Sequence, residues 1–337
     1  MSLKQPIFVC MTPIRNEAKI LDRFLACTSL WADKIIISDQ CSEDNSREIA
    51  VRYPKVTLVE NFEKEYNEKQ VRQILIDEAR KIKGPKIIFA VDADEILTPE
   101  ILQEADIEKF SSAAQGTVFM ANFVNICPDM NHYWNGPLRL PVAFYDDGIS
   151  QFEAKKIHTF RNICPENAVR INIDSPKIIH FQFTDWNRME SKHRWYQCWE
   201  KINNPEYSVI KYYRGYHHMY SIKPDEMHDI PEFWFEEYKK MGINIDAVNK
   251  DGEYYWDKTV LDYFNTYGTE FFKEEAIWDI NWVEKANYYK YKNPEKFKDP
   301  RNKFQRFIHE WLKRTQGDYS KLSVRIVSKL LKIFFKQ

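Results

Sequence analysis

Short apolar runs alternate with helical patterns over the first hundred residues. Ile7-Phe8-Val9-Cys10-Met11, Lys34-Ile35-Ile36-Ile37-Ser38, Val56-Thr57-Leu58-Val59 and Ile87-Ile88-Phe89-Ala90-Val91 read as strands. The second is apolar on both faces, as a parallel strand covered from both sides should be. Between the runs, Leu21, Phe24, Leu25, Thr28 and Trp31 share one helical face, with Asn16 placed as the N-cap. Residues 44–52 read as a short helix, and Val71, Ile74, Leu75, Ala79 and Ile82 mark an amphipathic helix over 67–83. Strand–helix alternation with short links predicts a doubly wound, mostly parallel α/β sheet. In such sheets ligands gather beyond the carboxyl ends of the strands. The polar clusters Thr12 to Glu17, Asp39 to Asp44 and Asp92 to Glu95 fall at those ends.

From about 115 to 183 the texture becomes β-rich, in Thr117–Phe123, Leu138–Tyr145, Val169–Ile173 and Lys177–Phe183. Beyond 187 the chain reads as helical and aromatic, with Trp195, Trp199, Phe233, Trp234, Trp256, Trp278 and Trp282. Tyr and Trp at helical spacing are read as core, so no ligand residue is assigned there. The 337 residues hold 44% hydrophobic and 29% charged side chains, enough for a sizeable core. Lys+Arg 49 against Asp+Glu 50 excludes a basic nucleic-acid coat, so no nucleic-acid partner is expected. Charge is uneven along the chain: residues 303–337 carry +7 and the other 302 carry −8. Six cysteines at no metal-like spacing suit a reduced, cytosolic set of thiols. No apolar stretch approaches the roughly 18 residues of a membrane span, which predicts a soluble or peripheral protein.

Asp92-Ala93-Asp94 closes the fourth strand, and two carboxylates there supply hard oxygen ligands for Mg²⁺ or Mn²⁺. Alone the pair equally describes two solvated carboxylates. Asp39 also ends its strand, where it can accept from a base N–H or ribose hydroxyl, or cap the next helix as Ser42 or Asp44 could. Thr12 to Glu17 leads into a helix N-terminus, a natural place for an anionic ligand. The segment lacks the glycines of a dinucleotide fingerprint or P-loop, so dehydrogenase and NTPase readings fall away.

Taken in order, Pro13-x-Arg15-Asn16-Glu17, Asp39-x-x-Ser42-x-Asp44-x-Ser46 and the strand ending in Asp92-Ala93-Asp94-Glu95 resemble family 2 glycosyltransferases of the GT-A fold. The resemblance covers residues 7–98 and extends to about 200. It implies a nucleotide-sugar-binding half over 1–115 and an acceptor-side half with β segments over 116–220, and the sequence pattern adds an aromatic-rich helical region over 221–337. Thr12, Pro13, Arg15 and Glu17 would contact the nucleotide, and Asp39 its base. Arg72 would reach the nucleotide, or else pair with Glu68 one helical turn away. Asp92 would face the ribose, with Ala93 beside it, and Asp94 would hold Mn²⁺ or Mg²⁺ on the diphosphate.

Lys177-Ile178-Ile179-His180-Phe181-Gln182-Phe183, followed by Lys192-His193-Arg194-Trp195-Tyr196, is similar to a block of the lipopolysaccharide- and capsule-type branch. There a strand His and a downstream basic helix close the donor site, which makes His180 a candidate metal ligand. Inverting members carry an acceptor-side base in a segment such as Arg-Leu-Phe…His-Glu. Here Leu138-Arg139-Leu140 and Ile157-His158-Thr159 fit that frame, with Thr159 where the Glu would stand. Either the base has moved, to Asp146, Asp147 or Glu153, with Asp147 or Glu153 preferred, or the enzyme does something different. Asp146-Asp147-Gly148 also reads as a hairpin turn.

The expected activity is metal-dependent, inverting transfer of a sugar from a nucleotide-diphosphate donor to a hydroxyl of a glycan or lipid-linked glycan, in polysaccharide biosynthesis. The alternatives are a non-catalytic nucleotide- or carbohydrate-binding module and an Asp-dependent phosphatase. The expected location is cytoplasmic and peripheral on the inner face of a membrane, through a basic amphipathic helix over 321–336. On a wheel, Lys321, Arg325, Lys329, Lys332 and Lys336 fall within about 80°. Ile326, Val327, Leu330, Leu331, Ile333, Phe334 and Phe335 fill most of the rest. Packing of that apolar face on the chain's own helices or on another subunit is the alternative.

Overall fold

The computed structural model describes residues 5–63, 67–136, 138–153, 160–204, 206, 208–247 and 254–334, the side chains of 332–334 excepted. Ile157, His158 and Thr159, and Phe335 and Lys336, therefore lie outside the described residues, as do the side chains of Lys332, Ile333 and Phe334. The chain divides into two compact units, Met1–Asp185 with His228–Asn249, and Trp186–Met227 with Lys250–Gln337.

The first unit opens with β1 (Ile7–Ile14), α1 (Ala18–Trp31), β2 (Lys34–Asp39), α2 (Ser46–Ala50), β3 (Val56–Glu60), α3 (Glu68–Arg80) and β4 (Lys86–Ala90). It continues through β5 (Glu95–Leu97), α4 (Glu104–Ser111), β6 (Val118–Ile126), β7 (His132–Asn135), β8 (Leu140–Tyr145) and β9 (Arg170–His180). Helices α5 (Trp186–Asn203) and α6 (Val209–Tyr216) belong to the second unit, before β10 (Met227–Asp229) and α7 (Phe233–Lys240). The chain ends in α8 (Tyr255–Tyr267), α9 (Trp282–Tyr288), α10 (Lys303–Arg314) and α11 (Leu322–Phe334).

The sheet runs β10-β7-β6-β8-β4-β1-β2-β3, with β9 paired to β6 and β5. Strands β1 to β4 are mutually parallel, whereas β8 runs antiparallel to both β4 and β6. The apolar runs are continuous because each parallel strand is covered on both faces. Phe8, Cys10, Ile35, Ile37, Ile87 and Phe89 pack with Leu21, Phe24 and Trp31 of α1 and Phe110 of α4. Val9, Met11, Ile36, Ile88 and Ala90 pack with Val71, Leu75, Ile76 and Ala79 of α3. Strand β1 runs on through Pro13, which pairs with Ser38 of β2 beyond the last pair with β4, Met11 with Ala90. The missing N–H faces the β4 side there, where no strand continues to receive it.

The expected halves, 1–115 and 116–220, share one sheet: β4 pairs with β8 (Ile87 opposite Tyr145) and β8 with β6 (Val118 opposite Phe144). The division expected at 220/221 falls inside the helical unit. Helix α7 belongs with the sheet: Trp234, Phe235 and Tyr238 pack on Ile96, Val124, Ile179 and Phe181, and the Tyr238 hydroxyl donates to the Leu97 carbonyl at 2.7 Å. In the helical unit Trp195, Trp199, Trp256, Trp278 and Trp282 are all buried, with Trp278 stacked on Phe264 at 5.0 Å. Their helical spacing reports core packing.

Phe89 lies at the centre of the first unit, fully buried, its ring 5.3 Å from Phe8, 4.8 Å from Trp31 and 5.0 Å from Phe110. Phe89→Ala should cost about 3–5 kcal/mol. The measurement is urea denaturation, expected to give a lower midpoint at an unchanged slope. A loss below about 1 kcal/mol would mean the cluster collapses around the gap.

Candidate active site

Four parallel strands deliver their carboxyl ends to one edge, and the loops there are tied to each other. Asn16 takes a left-handed conformation (φ 58°) between β1 and α1. The amides of Asn16, Glu17 and Ala18 each donate to a side chain from the loop after β2: Ser42 Oγ at 2.9 Å, Ser46 Oγ at 2.8 Å and Asp44 Oδ2 at 3.0 Å. Asn16 Oδ1 in return accepts from the Glu43 amide at 2.7 Å. Asn16 is not the N-cap of α1, since Glu17 holds that position. Of the three amides only that of Ala18 belongs to α1, so the junction ties the segment ahead of the helix to Ser42, Asp44 and Ser46 and takes one donor of the helix N-terminus.

Asp39 stands at the base of that junction. It is buried, its Oδ1 accepts from the Ser42 amide at 3.3 Å, and its Oδ2 has no hydrogen-bond partner. The nearest cation is Arg47, at 3.8 Å. A buried carboxylate oxygen without a donor is costly, and a base N–H or ribose hydroxyl would relieve it. Thr12 is fully buried, while Pro13, Arg15 and Glu17 are half-buried in the segment leading to α1.

Beyond β4 the chain turns tightly: the Glu95 amide donates to the Asp92 carbonyl at 2.9 Å, and the Asp92 amide to Glu95 Oε2 at 3.0 Å. Two guanidinium groups hold the turn. Arg72 of α3 donates to Asp92 Oδ1 at 2.7 Å and lies 3.8 Å from Glu68, so its main partner is Asp92. Arg161 places Nε 3.3 Å from Asp92 Oδ2 and donates from Nη1 to Glu95. Burial alone would raise Asp92, but Arg161 and then Arg72 outweigh it and hold the carboxyl below the usual range. Arg161 itself is pushed up: burial would lower it, and Asp92 and Glu95 overcome that.

His180 ends β9, opposite Glu95 of β5 in register. Its Nδ1 lies 2.9 Å from the Asn125 amide oxygen, which can only accept, so Nδ1 carries the proton. Nε2 lies 3.6 Å from Asp94 Oδ2, and in the neutral ring it presents a lone pair there. One ligand atom each from Asp94, Glu95 and His180 lies within 4.8 Å of the others. Both Glu95 oxygens are engaged, by Arg161 and by the Asp92 amide. Each carboxylate oxygen keeps a second lone pair, so Asp94, Glu95 and His180 together form the candidate site for a divalent cation, with Glu95 also tying the loop to Arg161. Ala93 is buried between the two aspartates.

The expected bases lie elsewhere. Strand β8 returns antiparallel, so its end at Tyr145 faces Ile87, near the start of β4. That is about five residues, or about 17 Å, from Asp92 along the strand direction. Asp146 is buried there under Arg80, whose Nη2 donates at 2.9 Å. Asp147 accepts from the Ile149 amide at 3.0 Å, the Ser150 amide at 2.8 Å and the Ser150 hydroxyl at 2.6 Å. Partial burial pushes its carboxyl up, but those hydrogen bonds prevail and keep it below the usual range. Asp147 is a turn residue at the opposite edge, a correction to its reading as a base. Glu153 is exposed after the buried Phe152, and no described contact ties it to Asp92 or Asp94. The Lys192–Tyr196 segment falls in α5, where Arg194 donates to Asp279 at 2.8 Å.

No curated protein matches the chain. Among solved structures, S. aureus TarS 1-349 in complex with UDP-GlcNAc is 12% identical, with 94% of this chain and 93% of that one covered and a TM-score of 0.40. GalNAc-T7 with UDP, GalNAc and Mn²⁺ is 12% identical over 74% of this chain and 59% of that one, at a TM-score of 0.36. HddC from Yersinia pseudotuberculosis is 11% identical over 52% and 93%, at 0.34. The model of glycosyl transferase family 2 matches residues 10–185, more than half of the chain. The chain belongs to glycosyl transferase family 2.

Proposed function

We propose that this glycosyltransferase moves a sugar from a nucleoside-diphosphate donor to a hydroxyl of a glycan or lipid-linked glycan, with a divalent cation on Asp94 and His180. The observation that carries this reading is the buried cluster at the carboxyl end of β4. There a carboxylate oxygen and an imidazole lone pair face one another at 3.6 Å, beside two guanidinium groups. A carboxylate–imidazole pair suits Mn²⁺ better than Mg²⁺, which favours oxygen ligands throughout. When bound, the cation would neutralise charge on the departing diphosphate.

The chain's own residues would do the rest. Asp39 would accept from the base or ribose through its unmatched oxygen. Pro13, Arg15 and Glu17 would line the nucleotide, with Thr12 supporting them from inside β1. Arg72 and Arg161 would fix the Asp92-Ala93-Asp94 turn, so that Asp94 meets the diphosphate in one orientation. The reading includes inversion, in which an acceptor-side carboxylate takes the hydroxyl proton as the oxygen attacks. Of the two preferred bases, only Glu153 remains a candidate. Family membership sets aside the phosphatase and the non-catalytic module. Six free cysteines, four of them buried, support a reducing compartment, hence a cytoplasmic enzyme of polysaccharide synthesis.

A thermal-shift panel of nucleoside diphosphates with and without Mn²⁺ tests the donor site, and release of free sugar from the matching nucleotide sugar tests turnover. Asp94→Asn should abolish the Mn²⁺-dependent part of the shift while leaving the unliganded melting temperature in place. Turnover should fall by about a thousandfold, roughly 4 kcal/mol of lost transition-state stabilisation. Near-native turnover in this variant would remove Asp94 from the metal site. Asp39→Ala should weaken nucleoside-diphosphate binding in calorimetry while leaving kcat at saturating donor within a few-fold. A base or ribose contact is equal in ground and transition states. An unchanged dissociation constant would reduce Asp39 to an anchor for the Ser42 turn.

A further inference from the structure

Helix α11 has three faces with different chemistry. Val324 is buried, and Leu331 is half-buried against Ile210, Tyr213, Ile308 and Leu312. At 100° per residue these two lie within about 20° of each other, so they form the seam that fastens the helix to its own unit. On the far side Leu322, Ile326 and Leu330 are 72%, 51% and 53% exposed. Their four-residue spacing makes one apolar stripe. Between seam and stripe run Lys321, Arg325 and Lys329, all exposed. Lys321 pairs with Asp318 at 2.9 Å, whereas Arg325 and Lys329 have no ion-pair partner among the described residues. Helix α10 adds two more exposed aromatics, Phe304 at 52% and Phe307 at 66%.

A helix that only needed to close its unit would show one apolar face, and that face would be the seam. Here apolar residues also stand opposite the seam, directly beside unpaired cations, in a segment at +7 on a chain otherwise at −8. We propose that this face of α11 docks on an anionic phospholipid surface. Headgroups would take Arg325 and Lys329 while the Leu322–Ile326–Leu330 stripe enters the acyl boundary. A protein partner would need matching acids beside an apolar groove, but a lipid interface supplies both chemistries in adjacent layers. The helix would lie in the interface without crossing it. Its 13 residues span about 20 Å against a hydrocarbon core of about 30 Å, and no described helix is long and apolar enough to cross a membrane. This inference rests on the helix and not on the donor-site reading, so either can fail alone.

The test is co-sedimentation of the full chain with vesicles of equimolar phosphatidylglycerol and phosphatidylcholine, against phosphatidylcholine alone. The full chain should pellet with the anionic vesicles at low salt, remain in solution with the neutral ones, and lose about tenfold or more of its binding in high salt. The double variant Ile326→Asp/Leu330→Asp should stay in solution with both. Both positions are exposed, so its circular dichroism and its nucleoside-diphosphate thermal shift should match the parent. Arg325→Gln/Lys329→Gln should weaken pelleting and flatten its salt dependence. Two results would overturn the proposal: a full chain that ignores anionic vesicles at low salt, or an aspartate variant that binds them like the parent. Light scattering that shows a dimer converted to monomer by the aspartate pair, with no vesicle binding, would assign the stripe to a second copy and overturn it too.

Discussion

Three carboxylates, Asp92, Asp94 and Glu95, are crowded at the end of a strand whose every residue is buried, and two guanidinium groups hold them in place. Arg72 arrives from a helix on one face of the sheet, and Arg161 from a segment more than sixty residues downstream. Arg72 and Glu95 are buried but Asp92 and Arg161 are half-buried, so removing one member leaves its partner charged and unmatched at a cost below the roughly 3–5 kcal/mol of a fully buried pair. Each arginine therefore locks a distant part of the chain onto the β4–β5 turn. The helix α3, the β4–β5 turn and the segment at Arg161 are held together by charge as well as by apolar packing.

The loops after β1 and β2 follow a related logic with neutral groups. Ser42, Ser46 and Asp44 take the amides of Asn16, Glu17 and Ala18 where the chain enters α1, and Asn16 answers through the Glu43 amide. Part of the polar chemistry at these strand ends is thereby used by the fold itself. What it leaves open is Asp39, whose second oxygen is buried and unmatched because the capping residues are already committed elsewhere. Stability and binding divide between neighbours in one loop: the serines and Asp44 close the junction, and Asp39 keeps an acceptor available.

Much of this was legible in the sequence because β1 to β4 are buried on both faces and the helices between them carry clear apolar stripes. Asp39, Asp92 and Asp94 were legible for the same reason, as polar residues ending apolar runs. His180 was legible only through resemblance, and β5 pairs it with Glu95 through a three-residue strand too short to show a period. Arg161 and Asn125 carried no signal, since their partners are 66 and 55 residues away. Asp147 misled because acidic residues at a strand end look alike at either edge of a sheet. Only the antiparallel return of β8 shows that this end meets the start of β4.

The electrostatics of the cluster bear on the proposed chemistry. Counting Asp92, Asp94 and Glu95 as carboxylates and Arg72 and Arg161 as cations, the cluster has a formal charge of −1. In that crowding burial, against Arg161 and with Asp92, pushes the Glu95 carboxyl above the usual range. A diphosphate brought to that site meets repulsion in a low-dielectric setting, where a unit charge pair acts more strongly than in water. On the proposed reading, a divalent cation held by Asp94 and His180 would change that sign to +1. Arg72 and Arg161 direct their hydrogen bonds to Asp92 and Glu95, and Arg72 keeps two buried nitrogens, Nε and Nη1, without a hydrogen-bond partner. The arginines make the acidic turn possible without cancelling it, so the cluster's formal charge stays negative and gives a cation its place.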